Sequence, residues 1–426
     1  MHVLVTGASG FLGSHIAAAL HAAGHDVVAA SRHGRARHGR PVALDFAAMR
    51  TSDAWAQHLQ GVDVVINAVG ILREQGRQTF SALHVDAPRA LFDACVTAGV
   101  RRIIQVSALG ADDDATTEYH RSKRAADRHL LALPLRASVV MPSLVYGPGG
   151  ASARLFGAWA TLPVVPLPGR GHQPVQPIHV DDVVEAVISL LGTHAHERGR
   201  IALVGPAPLA FGQFLAALRD AFGQAPAPCL AVPMPLVRAG VAVAAALPGS
   251  LVDAATLSML ERGNQAPSAA VTRVLGRPPR AVRNFPGPDP EAARTAAVLA
   301  WAVPLLRSSL AAVWIVTGLL SLGLFPVDES LALLARLGLH GRVADVMLYG
   351  AAVLDLAVGL ALLFASRPRW LWAAQAGVIA GYTVLVSVWL PEFWLHPFGP
   401  ILKNLPMLAA IAVLSALEGG RSRWTT

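Results

Sequence analysis

Short apolar runs alternate with longer amphipathic stretches along the first 190 residues. Five runs read as strands: His2–Thr6, Asp26–Ala30, Val62–Asn67, Arg102–Ser107 and Ser138–Met141. They are rich in Val and Ile and lack strict alternation, as strands buried on both faces of a parallel sheet do. Between them, Leu12–Ala23 (ended by Gly24), Phe80–Ala98 and Glu118–Ala132 carry helical spacing. Strand and helix in alternation predict an α/β fold with a doubly wound parallel sheet.

The pattern weakens after residue 200. Ile201–Gly205 predicts a strand and Phe211–Phe222 an amphipathic helix. A Pro-punctuated apolar region, Pro226–Pro248, follows, and its run Leu236–Leu247 is too short to span a bilayer. It is expected to form a small substrate lobe or to lie against a membrane. The polar, Pro-rich Gly276–Arg294 predicts a linker or edge segment.

From Trp301 the pattern changes again. Trp301–Phe325, Val343–Ala365 and Trp370–Leu390 are long enough to cross a bilayer, which takes about 20 apolar residues. Pro400–Leu417 is shorter and opens with Lys403 and Asn404. This predicts an all-α, four-helix transmembrane domain over 301–426, after a cofactor domain over 1–230 and a lobe remainder and linker over 231–300. Trp301, Trp370, Trp372, Trp389 and Trp394 lie near the span ends, where interfacial anchors sit.

Composition sharpens this picture. Charged residues make up 15% of the 426, against about 25% in ordinary soluble domains, so part of the chain is expected outside water. The net charge of +8 forms no basic block or stripe, which argues against nucleic acid and suits an anionic membrane face. Met1 leads straight into the first strand without a signal-peptide pattern, so the N-terminal domain is expected to fold in the cytosol. Arg294, Arg367, Arg369, Arg421 and Arg423 fall on one side of a four-span arrangement. Arg336, Arg342 and Lys403 fall on the other, diluted by Asp328, Glu329 and Glu392. The bias places both termini inside a multi-pass inner-membrane protein. Cys95 and Cys229 are far apart in apolar surroundings and read as buried, reduced thiols.

The turn after the first strand reads T-G-A-S-G-F-L-G, with Gly7, Gly10 and Gly13. In such a strand–turn–helix unit one Gly makes the turn, one admits a pyrophosphate to the backbone, and one lets helix and strand pack closely. The helix N-terminus then meets the negative charge. The second strand ends in Ala30-Ser31-Arg32-His33, without the acid that would bond an NAD ribose. Arg32 is either a partner for the 2′-phosphate of NADP(H), which is the favoured cofactor, or a solvated loop residue. Asp45 and Phe46 are placed to border the adenine, and Asn67, Ala68, Val69 and Gly70 end a strand where backbone passes close to the cofactor.

Tyr119 and Lys123 form Y-x-x-x-K on one face of a predicted helix. Only two lysines occur in the sequence, Lys123 and Lys403, and four tyrosines. A chain that fills cationic positions with Arg keeps a Lys where a primary amine is needed. An ammonium beside a phenol favours the phenolate and lowers its pKa, making Tyr119 a candidate general acid/base. Ser107, ending the preceding strand, is placed to polarise a carbonyl or hydroxyl. No metal-ligand spacing is seen.

T-G-A-S-G-F-L-G, N-A-V-G, V-S-A-L-G-A, Y-H-R-S-K, P-S-L-V-Y-G-P-G and Q-P-I-H-V-D-D-V-V-E-A-V resemble the extended and atypical short-chain dehydrogenase/reductase superfamily. The subgroup most resembled is that of the nucleotide-binding accessory subunit of respiratory complex I and its bacterial relatives. The resemblance covers roughly residues 1–230 and implies a Rossmann-type fold. It implies that Gly7, Ser9, Gly10, Phe11 and Leu12 hold the pyrophosphate, with Arg32 by the adenosine ribose and Asp45 by the adenine. It also implies that Ser107, Tyr119 and Lys123 sit at the nicotinamide, with Pro142 and Ser143 nearby. Met141 stands where the superfamily often has Arg before Pro-Ser. The last 125 residues resemble the DoxX-like membrane family in T-G-L-L-S-L-G, in Asp355 and in W-L-H-P-F-G-P-I-L-K-N-L-P.

Asp355 inside an apolar span needs a partner or a cavity, and Arg307, His396, Lys403 and Asn404 are the candidates. It marks either a quinone or proton site or, the favoured reading, a structural polar knot. The sequence thus points to a membrane-anchored NAD(P)-dependent oxidoreductase with an apolar, lipid or quinone-like substrate. A non-catalytic NAD(P)H-binding module on a membrane redox complex and a nucleotide-sugar epimerase or dehydratase are the alternatives.

Overall fold

The computed structural model describes residues 1–192, 199–246, 250, 252–365, 369–397 and 399–419. Arg367, Arg421 and Arg423, used above for sidedness, and Leu247 at the end of its apolar run lie outside the described residues. The chain divides into two compact units, Met1–Val298 and Leu299–Thr426.

The first unit is built on seven strands. Six are β1 (His2–Thr6), β2 (Asp26–Ser31), β3 (Arg40–Ala43), β4 (Val64–Asn67), β5 (Arg102–Val106) and β6 (Arg136–Pro142), and the seventh is the Gly199–Leu203 strand. The order across the sheet is Gly199–Leu203, β6, β5, β4, β1, β2, β3. All pairings are parallel. The chain leaves β1 toward β2 and β3, then returns to β4 on the other side. That reversal opens a crevice outside the carboxyl ends of β1 and β4, where such sheets bind ligands. The strands are buried on both faces, with Val3, Val5, Ile66 and Ile104 in one core and Leu4, Val65, Ile103 and Val139 in the other. β3 has no apolar run and escapes the pattern, because as an edge strand it is mostly exposed.

Phe80–Ala98 is not one regular helix: a π-type turn over Ser81–Asp86 precedes the helix Ala87–Thr97. Gly276–Arg294 is not a free linker either. Val282 and Phe285 are buried in a third core with Phe211 and Phe214. Asp182, fully buried, accepts from the Arg280 backbone N–H at 2.7 Å and from Arg277 Nη2 at 2.8 Å. Asp182 of the Q-P-I-H-V-D-D motif is therefore a staple that pins this segment to the helix Val180–Ser189. Cys95 is buried as expected, but Cys229 is exposed on the short strand Cys229–Val232.

The second unit is helical. Pro290–Leu324, whose first turns belong to the first unit, Arg342–Phe364 and Arg369–Trp389 are long and apolar enough to cross a membrane. Asn404–Gly419, at 16 residues, spans about 24 Å at 1.5 Å per residue and falls short of a hydrocarbon core of about 30 Å. A Cβ on Gly318 would meet the Ala352 carbonyl oxygen at 2.8 Å, and one on Gly359 the Ala311 carbonyl oxygen at 3.1 Å. Glycine here lets the first two long helices touch backbone to backbone, the usual device of helix pairs in lipid. Trp372 is not an interfacial anchor: it is buried with Trp314, Leu362 and Ile411 in the core of this unit, whereas Trp370, Trp389 and Trp394 are exposed.

Asp355 is buried, and its Oδ1 has no hydrogen-bond partner among the described residues. Arg307 instead bonds the carbonyls of Leu362 and Ala365 and reaches Glu418. Asn404 donates to Thr383 Oγ1 at 2.8 Å, and Lys403 is exposed. The expected polar knot around Asp355 is thus not formed by Arg307, Lys403 or Asn404.

Candidate cofactor and catalytic site

The Gly-rich turn sits at the crevice. Gly7 has φ +73°, and a Cβ on it would lie 2.8 Å from the Ala68 carbonyl oxygen. A Cβ on Gly13 would lie 2.1 Å from the Gly7 carbonyl oxygen. No side chain fits at either place. Gly10 is the N-cap of the helix α1 (Phe11–Ala22), which has neither a side-chain cap nor an acid in its first turn. Ser9 and Gly10 are exposed. Unsatisfied N–H groups at an open helix N-terminus next to backbone held close by glycine suit a pyrophosphate. Phe11 packs under the G-P-G-G segment (Gly147–Gly150), since a Cβ on Gly150 would meet its ring at 2.9 Å.

Beneath this turn the strand ends are tied by a buried polar chain. Thr6 Oγ1 donates to Asn67 Oδ1 at 2.7 Å, and Asn67 Nδ2 donates to Gln105 Oε1 at 2.7 Å. These residues are register partners on β1, β4 and β5. Asn67 is therefore spent inside the sheet, where it fixes the level of three strand ends, and its amide does not face the crevice. Four other expected residues also find internal tasks. Asp45 accepts the Ala47 N–H at 3.2 Å and caps a 3₁₀ turn. Phe46 is buried edge-on against Trp55, with ring centroids 5.4 Å apart, and offers no face to an adenine. Ser143 Oγ donates to the Gln176 carbonyl at 2.6 Å. The Pro142 carbonyl accepts the Leu109 N–H at 2.9 Å and so holds the loop after Ser107. Arg32 is exposed at the end of β2.

The helix Glu118–Ala132 forms over the predicted span, with Thr117 as its N-cap. Tyr119, Lys123 and Asp127 follow at intervals of four and share one face. Lys123 is buried and donates to the Val69 carbonyl at 3.0 Å and the Val106 carbonyl at 3.1 Å. It thereby joins the loop after β4 to the end of β5. A Cβ on Gly70 would stand 3.1 Å from its Nζ, so this glycine leaves room for the amine. Burial lowers the Lys123 ammonium to about 8. Two of its three protons are committed to carbonyls, leaving one for a ligand.

Tyr119 lies in an aromatic nest. The His84 ring stands edge-on at 5.5 Å, Phe80 at 6.2 Å and His120 at 5.3 Å between centroids. Burial, with a smaller push from the Asp127 charge, raises the phenol to about 12. The expected lowering by Lys123 is thus reversed, because the ring is desolvated and the Asp127 charge opposes a phenolate. His84 is buried, takes the Ile71 N–H on Nε2 at 3.0 Å and bonds Ser122 through Nδ1 at 2.9 Å. Burial, then the Lys123 charge, holds it down to about 2, so it is neutral.

Asp127 is the residue that sequence reasoning missed. It is fully buried and accepts the Ser107 hydroxyl proton, and its Oδ1 has no partner among the described residues. Its signal was present as Y-x-x-x-K-x-x-x-D, a third polar position on a face that otherwise enters the core. Burial pushes its carboxyl up to about 6, against the Ser107 bond and the Lys123 charge. A raised folded-state pKa gives stability that is fully present below the unfolded value and lost as pH rises through the folded one. Replacing Asp127 by Asn should therefore gain on the wild type as pH goes from 4 to 7, by up to about 3 kcal/mol for two pKa units. Thermal unfolding of the full-length protein in detergent measures this. A difference that stays flat with pH would show that the carboxyl does not titrate in this range.

Residues 3–205 match the NAD dependent epimerase/dehydratase family, and residues 311–412 match the DoxX-like family. A ceramide reductase of Caulobacter vibrioides is 31% identical over 198 residues, 45% of this chain and 61% of that protein. Subunit 9 of the mitochondrial NADH dehydrogenase (ubiquinone) 1 alpha subcomplex of Mus musculus is 30% identical over 195 residues, 43% of this chain and 52% of that protein. The chain thus spans between half and two thirds of the length of these two curated relatives. Among solved structures, the UDP-N-acetylglucosamine 4-epimerase of Bacillus cereus superposes with a TM-score of 0.52 at 16% identity, over 70% of this chain and 99% of that one, which speaks to the fold alone. The chain carries an NAD dependent epimerase/dehydratase family domain at its N-terminus and a DoxX-like domain at its C-terminus.

Proposed function

We propose that this protein is a membrane-held NAD(P)H-dependent reductase of an apolar carbonyl compound, of the lipid or quinone-like class. The observation that carries the reading is the Tyr119–Lys123–Asp127 face with Ser107 bonded to Asp127, set at the carboxyl ends of β4 and β5. Gly7, Gly10, Gly13 and the first turn of α1 would hold the pyrophosphate of the dinucleotide, and Lys123 would bond its ribose through the remaining proton. When bound, that group supplies a hydride. A phenol near 12 keeps its proton at neutral pH. Tyr119 is therefore suited to give a proton to a carbonyl oxygen as it becomes a hydroxyl, the reductive direction, more than to take one from an alcohol. Neutral His84, edge-on to the ring at 5.5 Å, adds no charge of its own beside that transfer. Arg32 would pair with a 2′-phosphate, favouring NADPH. The spanning helices would hold the site at an inner membrane, with the cofactor unit on the cytoplasmic side, where a lipid substrate resides. The ceramide reductase relative acts, by its name, on a lipid.

The test is NADPH oxidation by the full-length protein in detergent with long-chain keto-lipids and quinones, against UDP-sugars as controls. Turnover with an apolar carbonyl and none with UDP-sugars is expected. Turnover with UDP-sugars alone would replace this reading with an epimerase or dehydratase.

A second reading is a non-catalytic NAD(P)H-binding module docked on a membrane redox complex. The upward shift of Tyr119 and the commitment of Lys123 to backbone carbonyls favour it, as does the relative in a respiratory complex. Cofactor binding without turnover on any substrate would establish it.

A further inference from the structure

The helix Met234–Ala245, in the first unit, buries none of its residues. Its sequence, M-P-L-V-R-A-G-V-A-V-A-A, holds one charge, Arg238, which pairs with Glu261 at 3.0 Å. One side (Met234, Val237, Val241, Ala244, Ala245) is half-buried and packs against the helix Ala254–Arg262. The other presents Leu236, Ala239, Gly240 and Val243, spaced i, i+3, i+4, i+7. That spacing normally faces a core, yet Leu236 is 63% exposed and Val243 69%. The adjoining strand Cys229–Val232 adds Leu230, 57% exposed, and Val164 flanks its partner strand Val165–Pro168. Exposed apolar residues gathered on one element in this way mark a protein or a membrane contact.

We propose that this face, Leu230 with the Leu236–Val243 stripe, lies in the lipid interface, so that the first unit meets the bilayer through its own surface. Three observations select lipid. The same chain carries three helices fit to cross a bilayer, which tether the face at a high effective concentration of lipid. The stripe is made of Leu, Val, Ala and Gly alone, without the Trp, Tyr or Arg anchors that dominate protein–protein contacts. Its single charge stands at the flank and is already paired. The helix behind it reaches the candidate site: Arg262 donates to the Gly110 carbonyl at 3.0 Å and to Asp112 at 2.6 Å, in the loop that follows Ser107.

The experiment reads lipid contact without turnover, so it stands whether or not the catalytic reading does. Full-length protein carrying Cys229→Ser and Val243→Cys is labelled with an environment-sensitive fluorophore and reconstituted in phosphatidylcholine–phosphatidylglycerol vesicles. Gln57→Cys, exposed on the first unit, is the control in the same background. Spin-labelled phosphatidylcholine should quench the label at 243 several-fold more than the label at 57, and aqueous iodide should do the reverse. Leu236→Cys, on the same stripe, should repeat the result. Iodide quenching equal to the control, or shielding from both iodide and spin-labelled lipid as by a protein partner, would overturn the proposal.

Discussion

Replacing Tyr119 by Phe should lower turnover by about 10²–10⁴, the usual contribution of a positioned general acid, and leave NAD(P)H affinity within about twofold, a negligible free-energy change. Phe keeps the ring contacts with Phe80, His84 and His120, so the nest around the position is preserved. It removes only the hydroxyl and its proton. The loss should appear in kcat and kcat/KM together, because the interaction is made in the transition state. Steady-state kinetics with the best apolar carbonyl substrate, beside a fluorescence titration of NADPH, measures both quantities. Unchanged turnover would remove Tyr119 from the chemistry and move the proton donor elsewhere on the same helix face.

Placing Asp at Gly10 should weaken binding of either dinucleotide by at least roughly a hundredfold. Two unit charges about 4 Å apart near a protein surface repel by about 4 kcal/mol, which covers that loss. The fold should survive. Gly10 has extended backbone, φ −77° and ψ 170°, open to any residue, and Asp is among the best N-cap residues. A Cβ there meets the Gly7 carbonyl oxygen at 3.2 Å, a contact that needs a shift of a few tenths of an ångström. The carboxylate would itself cap the N–H groups that a pyrophosphate would use, so thermal stability should be kept while binding is lost. Arg32→Ala belongs in the same titration. Its effect should be confined to NADPH, with NADH affinity unchanged, because only the 2′-phosphate distinguishes the two. Equal losses for both cofactors in the Arg32 variant would assign Arg32 to the adenosine generally and leave the preference to other residues.

The two variants address different links in one chain of causes. Gly10 acts through backbone geometry and the helix terminus, and Tyr119 through proton transfer. A protein that binds but does not turn over would respond to the first and not to the second. In that case Asp127 and Lys123 would be read as the buried polar frame of a binding site. The pH dependence argued for Asp127 would remain, since it concerns folding and not catalysis.

The sequence alone determined what depends on neighbours along the chain. The strands β1, β2 and β4 to β6 and the three long apolar helices are visible as apolar runs of the length each needs, and the helix Glu118–Ala132 by its helical spacing, because burial selects consecutive or periodic residues. The Gly7, Gly10 and Gly13 turn is visible for the same reason: a missing Cβ is a local requirement. Tertiary structure decided every matter that joins distant segments. Ser107 and Asp127 are 20 residues apart, and only the packing of the helix on β5 makes one accept the proton of the other. Lys123 is legible as a needed amine, but its acceptors are backbone carbonyls, which no side-chain pattern records. Asn67, Phe46 and Ser143 are placed near the cofactor by the sequence, and only the packing shows that their side chains turn inward. Arg307 bonds the Leu362 and Ala365 carbonyls and Glu418, not Asp355, because register between helices, not hydropathy, sets which side chains meet. The region Pro226–Pro248 reads from sequence as either a substrate lobe or a surface against a membrane, since the same apolar spacing serves both, and only the structure shows that one face of Met234–Ala245 stays exposed among the described residues.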